Sequence, residues 1–202
     1  MATRGFSRPS RTGAEQLGRL PPGQFVTEDF PVLSAGPTAH IAREDWRFAL
    51  QVGPKVLKTW AWSDFIGLPV TRVTRDIHCV TKWSKFDTGW EGVSIGDLLA
   101  DAGVEPPSEF ILAHSYDGYS TNVPVKDLLG GRGMIAIGYD GKPIPAEHGG
   151  PARLLVPHLY FWKSAKWVKA LQFTERDEAG FWELRGYHMY GDPWREQRYT
   201  GD

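Results

Sequence analysis

The spacing of apolar and polar residues along the chain predicts many short strands and few helices. Apolar and polar residues alternate over 46–52, as they do in a half-buried strand. β-branched residues dominate 70–80, which also favours a strand. The pattern predicts further strands at residues 110–115, 152–162 and 167–175. Because no long helices separate these strands, the chain is expected to form one β-rich, mixed α+β domain.

Turn and capping residues divide this pattern into elements. A capping box at Ser94 begins the helix IGDLLADA, and Gly103 ends it. Residues 59–67 favour a short helix or a turn before Leu68-Pro69. Asp-Gly pairs at 117–118 and 140–141 each stand between two apolar runs, which predicts two hairpins.

Composition separates the first residues from the rest of the chain. Residues 1–24 are polar and rich in Gly, Pro and Arg, which predicts a flexible N-terminal segment, and residues 25–202 form the predicted domain. No stretch approaches the roughly 20 apolar residues that span a bilayer. No signal-peptide core or twin arginine is visible at the N-terminus. These features, with a single cysteine, predict a cytoplasmic protein without membrane insertion.

The overall charge excludes some classes of partner. The 202 residues carry a net charge of −1 at pH 7, which gives no general attraction for nucleic acid. No dinucleotide-binding or Walker A motif is present. Nine tryptophans are enough to build a core and also to wall a binding cavity.

Cys79 is the single cysteine, and the residues alone leave three roles open for it. A lone cysteine on an apolar strand is usually a small buried hydrophobic group. A nucleophilic thiol needs a nearby base, and the adjacent His78 would point to the opposite face of a strand. A metal ligand is the third possibility. One thiolate suffices only where a cofactor supplies the other ligands, as a molybdenum pterin dithiolene does.

A basic run in the C-terminal half is a candidate site for the phosphate of such a pterin. Residues 148–174 contain no Asp or Glu but include Arg153, Lys163, Lys166 and Lys169. Phosphate is bound by cations and backbone amides, and this run offers both. The alternative is a solvated basic surface.

Five segments together resemble the molybdopterin-binding domain of the sulfite oxidase superfamily. They are IHCVTKWS, WEGVSIGDLL, DGYSTNVPVKDLL, DGKPIPAEHGGPARLLVPHLYFWKSAKWV and GYHMYGDPW. The resemblance runs from about residue 20 to 199 and is strongest to short bacterial sulfite oxidase-like oxidoreductases. These are related to the catalytic subunit of the MsrP-type methionine sulfoxide reductase. The resemblance implies the sulfite oxidase-type fold in a single domain and a Mo-molybdopterin cofactor.

The resemblance also implies roles for individual residues. Cys79 corresponds to the protein ligand of molybdenum, and Arg153 corresponds to an arginine that holds the cofactor. The other implied cofactor-binding residues are Glu28, Asp29, Phe30, Ser115, His148, Ser164, Ala165 and Lys166. The candidates for the open side of the metal are Lys82, Trp83, Tyr119, His158 and Tyr160. Tyr119 and His158 are favoured for a catalytic role because they can deliver protons or hydrogen bonds.

The implied function is a molybdenum enzyme that transfers an oxygen atom to or from a small S- or N-centred substrate. Lys82 and Lys85 follow Cys79 where sulfite oxidases carry arginines, and lysine cannot make a bidentate guanidinium contact, so sulfite is not the expected substrate. A separate protein must exchange the electrons, since no heme, flavin or iron–sulfur motif is present. The alternatives are a non-catalytic carrier of the cofactor and a domain that has lost it.

Overall fold

A computed structural model of the chain describes residue 13 and residues 18–202, and β-strands dominate the described part. In chain order the strands are β1 (Phe25–Val26), β2 (Arg47–Val52), β3 (Lys55–Ala61), β4 (Thr71–His78), β5 (Trp83–Ser94), β6 (Phe110–Ser115), β7 (Ser120–Pro124), β8 (Met134–Tyr139), β9 (Lys142–Pro143), β10 (Arg153–Leu155) and β11 (Val168–Thr174). The two α-helices of this part are α1 (Trp62–Phe65) and α2 (Ile95–Ala102). Short 3-10 helices cover Val125–Asp127, Ala146–His148, Phe161–Lys163, Glu183–Arg185 and Pro193–Arg195.

The strands form two mixed sheets. The first has the order β1-β5-β8-β10, with β4 also paired to β5 and β9 to β8. The second has the order β3-β2-β11-β6-β7. Each sheet contains one parallel pair, β1 with β5 and β11 with β2, and its other pairs are antiparallel. Two mixed sheets with short helices confirm the predicted β-rich α+β fold.

Several elements lie where the sequence predicts them. The Ser94 side chain accepts a hydrogen bond from the Asp97 amide at 3.0 Å and caps α2, and Gly103 ends this helix with φ of 66°. Both predicted hairpins are present, as β6 with β7 and β8 with β9. β2, β4 and β11 also match predicted strands.

β3 was not predicted, and it takes in residues 59–61 of the segment predicted as a short helix or turn. Two further elements differ from the prediction. β5 is the central strand of the first sheet, yet its sequence does not alternate regularly. It bends at Asp87, whose φ is 54°, and its register shifts between Glu91 and Gly92. A Cβ at Gly92 would collide with the backbone of β8, so a glycine is required at this close approach. The strand predicted over 152–162 is limited to β10, and Pro157 has no amide with which to extend the pairing.

The first sheet is buried on both faces, and this places the candidate site. Ile135 and Leu154 face the main core, where they join Phe48 and Leu171 of the second sheet. Their chain neighbours point the opposite way, and Leu155 is one of them. On that opposite face lies a second cluster, formed by Ile77, Cys79, Trp83, Trp90, Met134, Ala136, Ile144, Leu155 and Phe161. Cys79 therefore lies against the outer face of the first sheet.

The segment that is predicted to be flexible lies partly outside the described residues, which omit 1–12 and 14–17. Its last residues contact the domain. Arg19 donates to Asp76 at 2.8 Å and to Asp87 at 2.7 Å, and Leu20 and Gln24 are buried. The domain boundary near residue 25 stays a prediction.

A buried ion pair attaches the C-terminal residues to the two sheets. The Lys163 ammonium lies 2.6 Å from the Glu183 carboxylate, and both side chains are fully buried. The same carboxylate oxygen accepts hydrogen bonds from Thr121 at 2.9 Å and from the Trp162 indole at 2.8 Å. Lys163 also donates to Asn122 at 2.6 Å. The pair thus fixes the segment around Glu183 against β7 and the 3-10 helix of Phe161–Lys163.

Replacement of Glu183 tests this attachment. Glu183→Leu leaves the Lys163 ammonium buried without a counter-charge, so the free energy of unfolding should fall by about 3–5 kcal/mol. Arg72→Met is the matched control, because Arg72 pairs with Glu91 through a side chain that is 79% exposed. The control should change stability by less than about 1 kcal/mol. Urea unfolding measures the free energy of unfolding of both variants. A similar decrease in the two would contradict the prediction.

Candidate cofactor site

A cavity of about 320 Å³ opens beside Cys79 on the outer face of the first sheet. Its walls come from the loop after β1, the turn after β4, the β6–β7 turn, β10 and the segment between β10 and β11. The predicted site residues that line it are Phe30, Cys79, Trp83, Tyr119, His148, Arg153, Ser164, Ala165 and Lys166. Residues up to 136 positions apart in sequence, from 30 to 166, thus meet at one cavity.

Cys79 is held at the start of a tight turn between β4 and β5. Its amide donates to the Trp83 carbonyl at 2.8 Å, and its carbonyl accepts from the Lys82 amide at 3.0 Å. Lys82 has φ of 75°, which closes the turn. The buried Gln24 side chain donates to the Cys79 carbonyl at 3.1 Å. These three hydrogen bonds hold the backbone of Cys79 in the turn.

Burial, one hydrogen bond and the position of the neighbouring histidine define the environment of the Cys79 thiol. Burial raises the pKa of the Cys79 thiol, and a hydrogen bond from the Thr81 hydroxyl to Sγ at 3.1 Å opposes this shift. The adjacent His78 does not line the cavity, and its Nδ1 lies 2.9 Å from the Ser84 hydroxyl. His78 therefore does not act as a base toward the thiol, as the strand geometry predicts.

Arg153 places a positive charge in a wholly buried position on β10. Its guanidinium donates to the carbonyls of His148 and Ser164, each at 2.7 Å, and stacks over the Phe161 ring at 4.2 Å. Burial lowers the pKa of Arg153 to about 9. Carbonyl oxygens orient the guanidinium but do not neutralise its charge.

Lys166 adds a second positive charge beside Arg153. Its ammonium donates to the Glu147 carbonyl at 2.6 Å and to the Ser34 hydroxyl at 2.9 Å. Burial, followed by repulsion from Arg153, lowers the pKa of Lys166 to about 8. Within the described residues, neither Lys166 nor Arg153 forms a salt bridge with a carboxylate. Two cations without a salt-bridge partner at one cavity favour an anionic ligand.

Backbone close to these cations is shaped by Gly149. This residue has φ of 104°, and a Cβ there would lie 2.9 Å from Cα of Lys166. Its carbonyl accepts from the Trp167 amide at 3.2 Å. The preceding His148 ring stacks on Phe30 with ring centres 4.0 Å apart. Glycine therefore allows the His148 turn and the Lys166 segment to approach closely around the cavity.

Some lining residues were not among the sequence-based candidates. They are Thr81, Asp117, Trp162, Trp182 and Tyr187, and the rings of the last three pack together. Trp162 and Trp182 lie 5.1 Å and 5.0 Å from the Tyr187 ring. Tyr187 belongs to the segment GYHMYGDPW that carries part of the resemblance, which is the one sequence signal that points to it.

Two of the loop candidates stand outside the cavity. Glu28 and Asp29 are exposed, and neither lines the cavity, although Phe30 next to them does. The Glu28 carbonyl accepts a hydrogen bond from Lys85 at 2.6 Å. Ser115 is fully buried and does not line the cavity, and its hydroxyl finds no partner among the described residues.

The structure does not bring His158 to the cavity. Its Nε2 lies 3.1 Å from the buried carboxylate of Asp127, which also contacts Arg132 at 2.8 Å and Tyr190 at 3.2 Å. Tyr160 and Lys82 also fall outside the lining residues. The favoured pair of Tyr119 and His158 is therefore separated, because residue 158 follows β10 toward a different polar cluster.

The chain belongs to a family of molybdopterin-dependent oxidoreductases. The family model described as oxidoreductase molybdopterin binding domain matches residues 35–182, which include the cavity residues from Cys79 to Trp182. This match confirms the resemblance inferred from the sequence, and with it a Mo-molybdopterin cofactor. The chain is therefore an enzyme of this oxidoreductase class.

Two relatives extend this result over nearly the whole chain. The sequence is 43% identical over 195 residues to the oxidoreductase YuiH of Bacillus subtilis, covering 94% of this chain and 96% of that protein. It is 29% identical over 180 residues to a putative protein-methionine-sulfoxide reductase subunit, YedZ1, of Azospira oryzae. That alignment covers 87% of this chain and 68% of the relative.

A solved structure supports the same fold. The sulfane dehydrogenase SoxCD of Paracoccus pantotrophus aligns with a TM-score of 0.60 and 22% identity. The alignment covers 69% of this chain and 40% of that chain. The likeness establishes the sulfite oxidase-type fold that the sequence predicts. No helix among the described residues has the length and hydropathy to cross a membrane.

The cavity residues fit a pterin-bound metal. In the described part of the chain, no group of three or more His, Cys, Asp or Glu side chains could hold a metal ion. One soft thiol, two cations without carboxylate partners and a buried donor are available. The donor is the Trp83 indole, which lines the cavity and has no acceptor among the described residues.

The depressed pKa of Lys166 predicts a pH dependence in the cofactor-free protein. In the folded state Lys166 loses its proton near pH 8, whereas the unfolded chain holds it to about 10.5. Between these values the unfolded state binds more protons, so this residue makes stability rise with pH. Across this pH range, the Tm of the wild type should therefore rise relative to the Tm of Lys166→Met. Lys169→Met removes an exposed lysine, so its Tm should change with pH in the same way as that of the wild type. A difference in Tm between wild type and Lys166→Met that stays constant across this pH range would contradict the prediction.

Proposed function

We propose that this oxidoreductase transfers an oxygen atom to or from a small S- or N-centred substrate, with Cys79 as the protein ligand of molybdenum. The observation that carries the proposal is the position of the buried Cys79 thiol in the same cavity as Arg153 and Lys166. A thiolate and an anion-binding pair are the two features that a metal held by a phosphorylated pterin requires.

Each side of the cavity has a separate task in this proposal. Arg153 and Lys166 bind the phosphate of the pterin, and Ser164 and Ala165 present backbone beside it. His148 and Phe30 stack at the same end and position the pterin. Cofactor binding then compensates the charges that burial destabilises in the cofactor-free protein. The bound molybdenum supplies two-electron redox chemistry, and the chain supplies orientation and electrostatics.

Proton transfer is assigned to the tyrosines at the open side of the cavity. Tyr119 donates its hydroxyl hydrogen to the Trp162 carbonyl at 2.7 Å, which fixes that hydroxyl. Tyr187 has no such bond among the described residues, and its ring packs against Trp162 and Trp182. Burial, the neighbouring Tyr199 and the Cys79 charge together raise the pKa of Tyr187. A phenol that keeps its proton is suited to donate it to a reacting oxygen.

Turnover requires electrons from outside the chain, and we assign them to a separate electron-transfer protein. The relative named as a methionine-sulfoxide reductase subunit supports this assignment, since its name describes one part of a larger reductase. It also supports S-oxides as the substrate class. A non-catalytic carrier would not need the aromatic opening beside Cys79. Residence in a reducing cytoplasm, which a single free cysteine favours, remains a prediction.

Substitution of Cys79 tests its role as the metal ligand. Protein from a host that makes the cofactor should contain about one molybdenum per chain in the wild type, by ICP-MS. In Cys79→Ser the metal should be depleted or its EPR signal altered, while pterin fluorescence after denaturation persists. Lys166→Met should lose metal and pterin together, and Lys169→Met should lose neither. Cys79→Ser with wild-type metal, EPR signal and activity would contradict the proposal.

The tyrosine assignment predicts unequal effects on turnover. Tyr187→Phe removes the proton donor and should lower kcat by about 100-fold with little change in KM. His158→Gln should leave both constants unchanged, because His158 contacts Asp127 outside the cavity. Steady-state kinetics with an artificial electron donor measure both variants. Equal decreases of kcat in Tyr187→Phe and His158→Gln would contradict the assignment of the proton donor to Tyr187.

A further inference from the structure

We propose that Gln24 is a positioning residue for the molybdenum ligand. Its side-chain amide holds the backbone of Cys79, and this contact sets how the thiol is presented to the metal. The inference rests on the proposed function, in which Cys79 binds molybdenum. Gln24 lies outside the residues 35–182 that match the family model, and it is not among the candidates that the sequence suggests.

Gln24 is buried at the end of the N-terminal segment, where its amide bridges the two sides of the β4–β5 turn. The residue is 1% exposed. Its Nε2 donates to the Cys79 carbonyl at 3.1 Å on one side of the turn. Its Oε1 accepts from the Ser84 hydroxyl at 3.4 Å on the other side. Among the described residues, no other side chain hydrogen-bonds to the backbone of Cys79.

The strand that follows Gln24 aligns it with this turn. β1 pairs in parallel with the first residues of β5. The Phe25 amide donates to the Lys82 carbonyl at 2.8 Å. The Thr27 amide donates to the Ser84 carbonyl at 2.9 Å. Gln24 is therefore held through the backbone that follows it as well as through its own side chain.

The shape of the turn controls which groups reach the Cys79 sulfur. The Thr81 hydroxyl donates to Sγ at 3.1 Å. Burial raises the pKa of the Cys79 thiol, and hydrogen bonds from the Thr81 side chain and from the backbone of Thr81 and Val80 oppose this shift. These donors all belong to the turn that Gln24 holds. A contact that orients a ligand residue in this way adjusts the position and the basicity of the atom that binds the metal.

The amide is the part of Gln24 that this role needs. The Cys79 carbonyl also accepts from the Lys82 amide at 3.0 Å, so it keeps one partner when the Gln24 amide is removed. The Ser84 hydroxyl likewise keeps the His78 Nδ1 at 2.9 Å. An apolar side chain of the same length can therefore fill the space at a modest cost in stability. Packing alone does not require an amide here, whereas a second donor fixes the direction of the carbonyl.

Amide exchange in the cofactor-free protein tests whether Gln24 holds the turn. Gln24→Met keeps the length of the side chain and removes its hydrogen bonds. Exchange of the Cys79 and Lys82 amides, followed by NMR, should become about three- to ten-fold faster, as expected for the loss of one hydrogen bond. Thr174→Val removes a hydrogen bond to the Arg176 carbonyl outside the cavity lining, and it should leave both rates unchanged. Unchanged rates in Gln24→Met would overturn the inference.

The molybdenum EPR signal of the partly reduced holoenzyme tests the link to the metal. The g-values depend on how the sulfur ligand is oriented, so they should shift in Gln24→Met. They should also shift in Gln24→Asn, which keeps an amide that is one methylene too short to reach the Cys79 carbonyl. In both variants kcat should fall about ten-fold with little change in KM. Thr174→Val should keep the wild-type g-values and kcat.

Comparison with Cys79→Ser separates the two possible failures. A signal that changes in Cys79→Ser but in neither Gln24 variant would overturn the inference alone. A signal that changes in none of these variants would overturn the proposed function, and the inference with it. A shift of equal size in Thr174→Val would show that the spectrum follows a general loss of stability, which would also overturn the inference.

Discussion

The buried positive charge of Arg153 is the constraint on which the rest of the site depends. Its guanidinium is 1% exposed and contacts carbonyl oxygens and a ring face, so the described chain leaves its charge without a counter-ion. A buried charge of this kind is costly unless a ligand compensates it. Lys166 is a second cation at the same cavity, and it too forms no salt bridge within the described residues. The cofactor-free fold therefore presents a site that favours an anion.

The arrangement also explains why the site needs both faces of the first sheet. One face contributes to the main core between the two sheets and makes the sheet rigid. The opposite face presents Cys79 and its aromatic neighbours to the cavity. A metal ligand on a strand end that is fixed by a packed core can be held in one position. The buried pair of Lys163 and Glu183 then holds the aromatic opening in place from the C-terminal side.

The fold could be predicted from the sequence where local signals are strong. The Ser94 cap, Gly103 and the two Asp-Gly turns fixed α2 and both hairpins correctly, because capping and turn preferences act over a few residues. β5 was missed because its glycine and its register shift respond to the strand beside it, which a local pattern does not contain. The strand over 152–162 was overextended for a related reason, since strand pairing also depends on a partner.

The site was partly predictable for the same reason. Cys79, Arg153, His148 and Lys166 lie in segments whose order and spacing carry the resemblance, and all four line the cavity. Charge alone did not separate the members of the basic run. Lys163 is buried in an ion pair and Lys169 is exposed, and only the fold shows which lysine lines the cavity.

The most direct test of the central claim is X-ray absorption at the molybdenum K-edge of the holoenzyme, with wild type beside Cys79→Ser. We expect a sulfur shell with contributions from the pterin and from Cys79 in the wild type, and one sulfur fewer in the variant. An unchanged sulfur shell in a folded, cofactor-loaded Cys79→Ser protein would contradict it. The thiol would then be a buried wall residue, and the metal would be held without it.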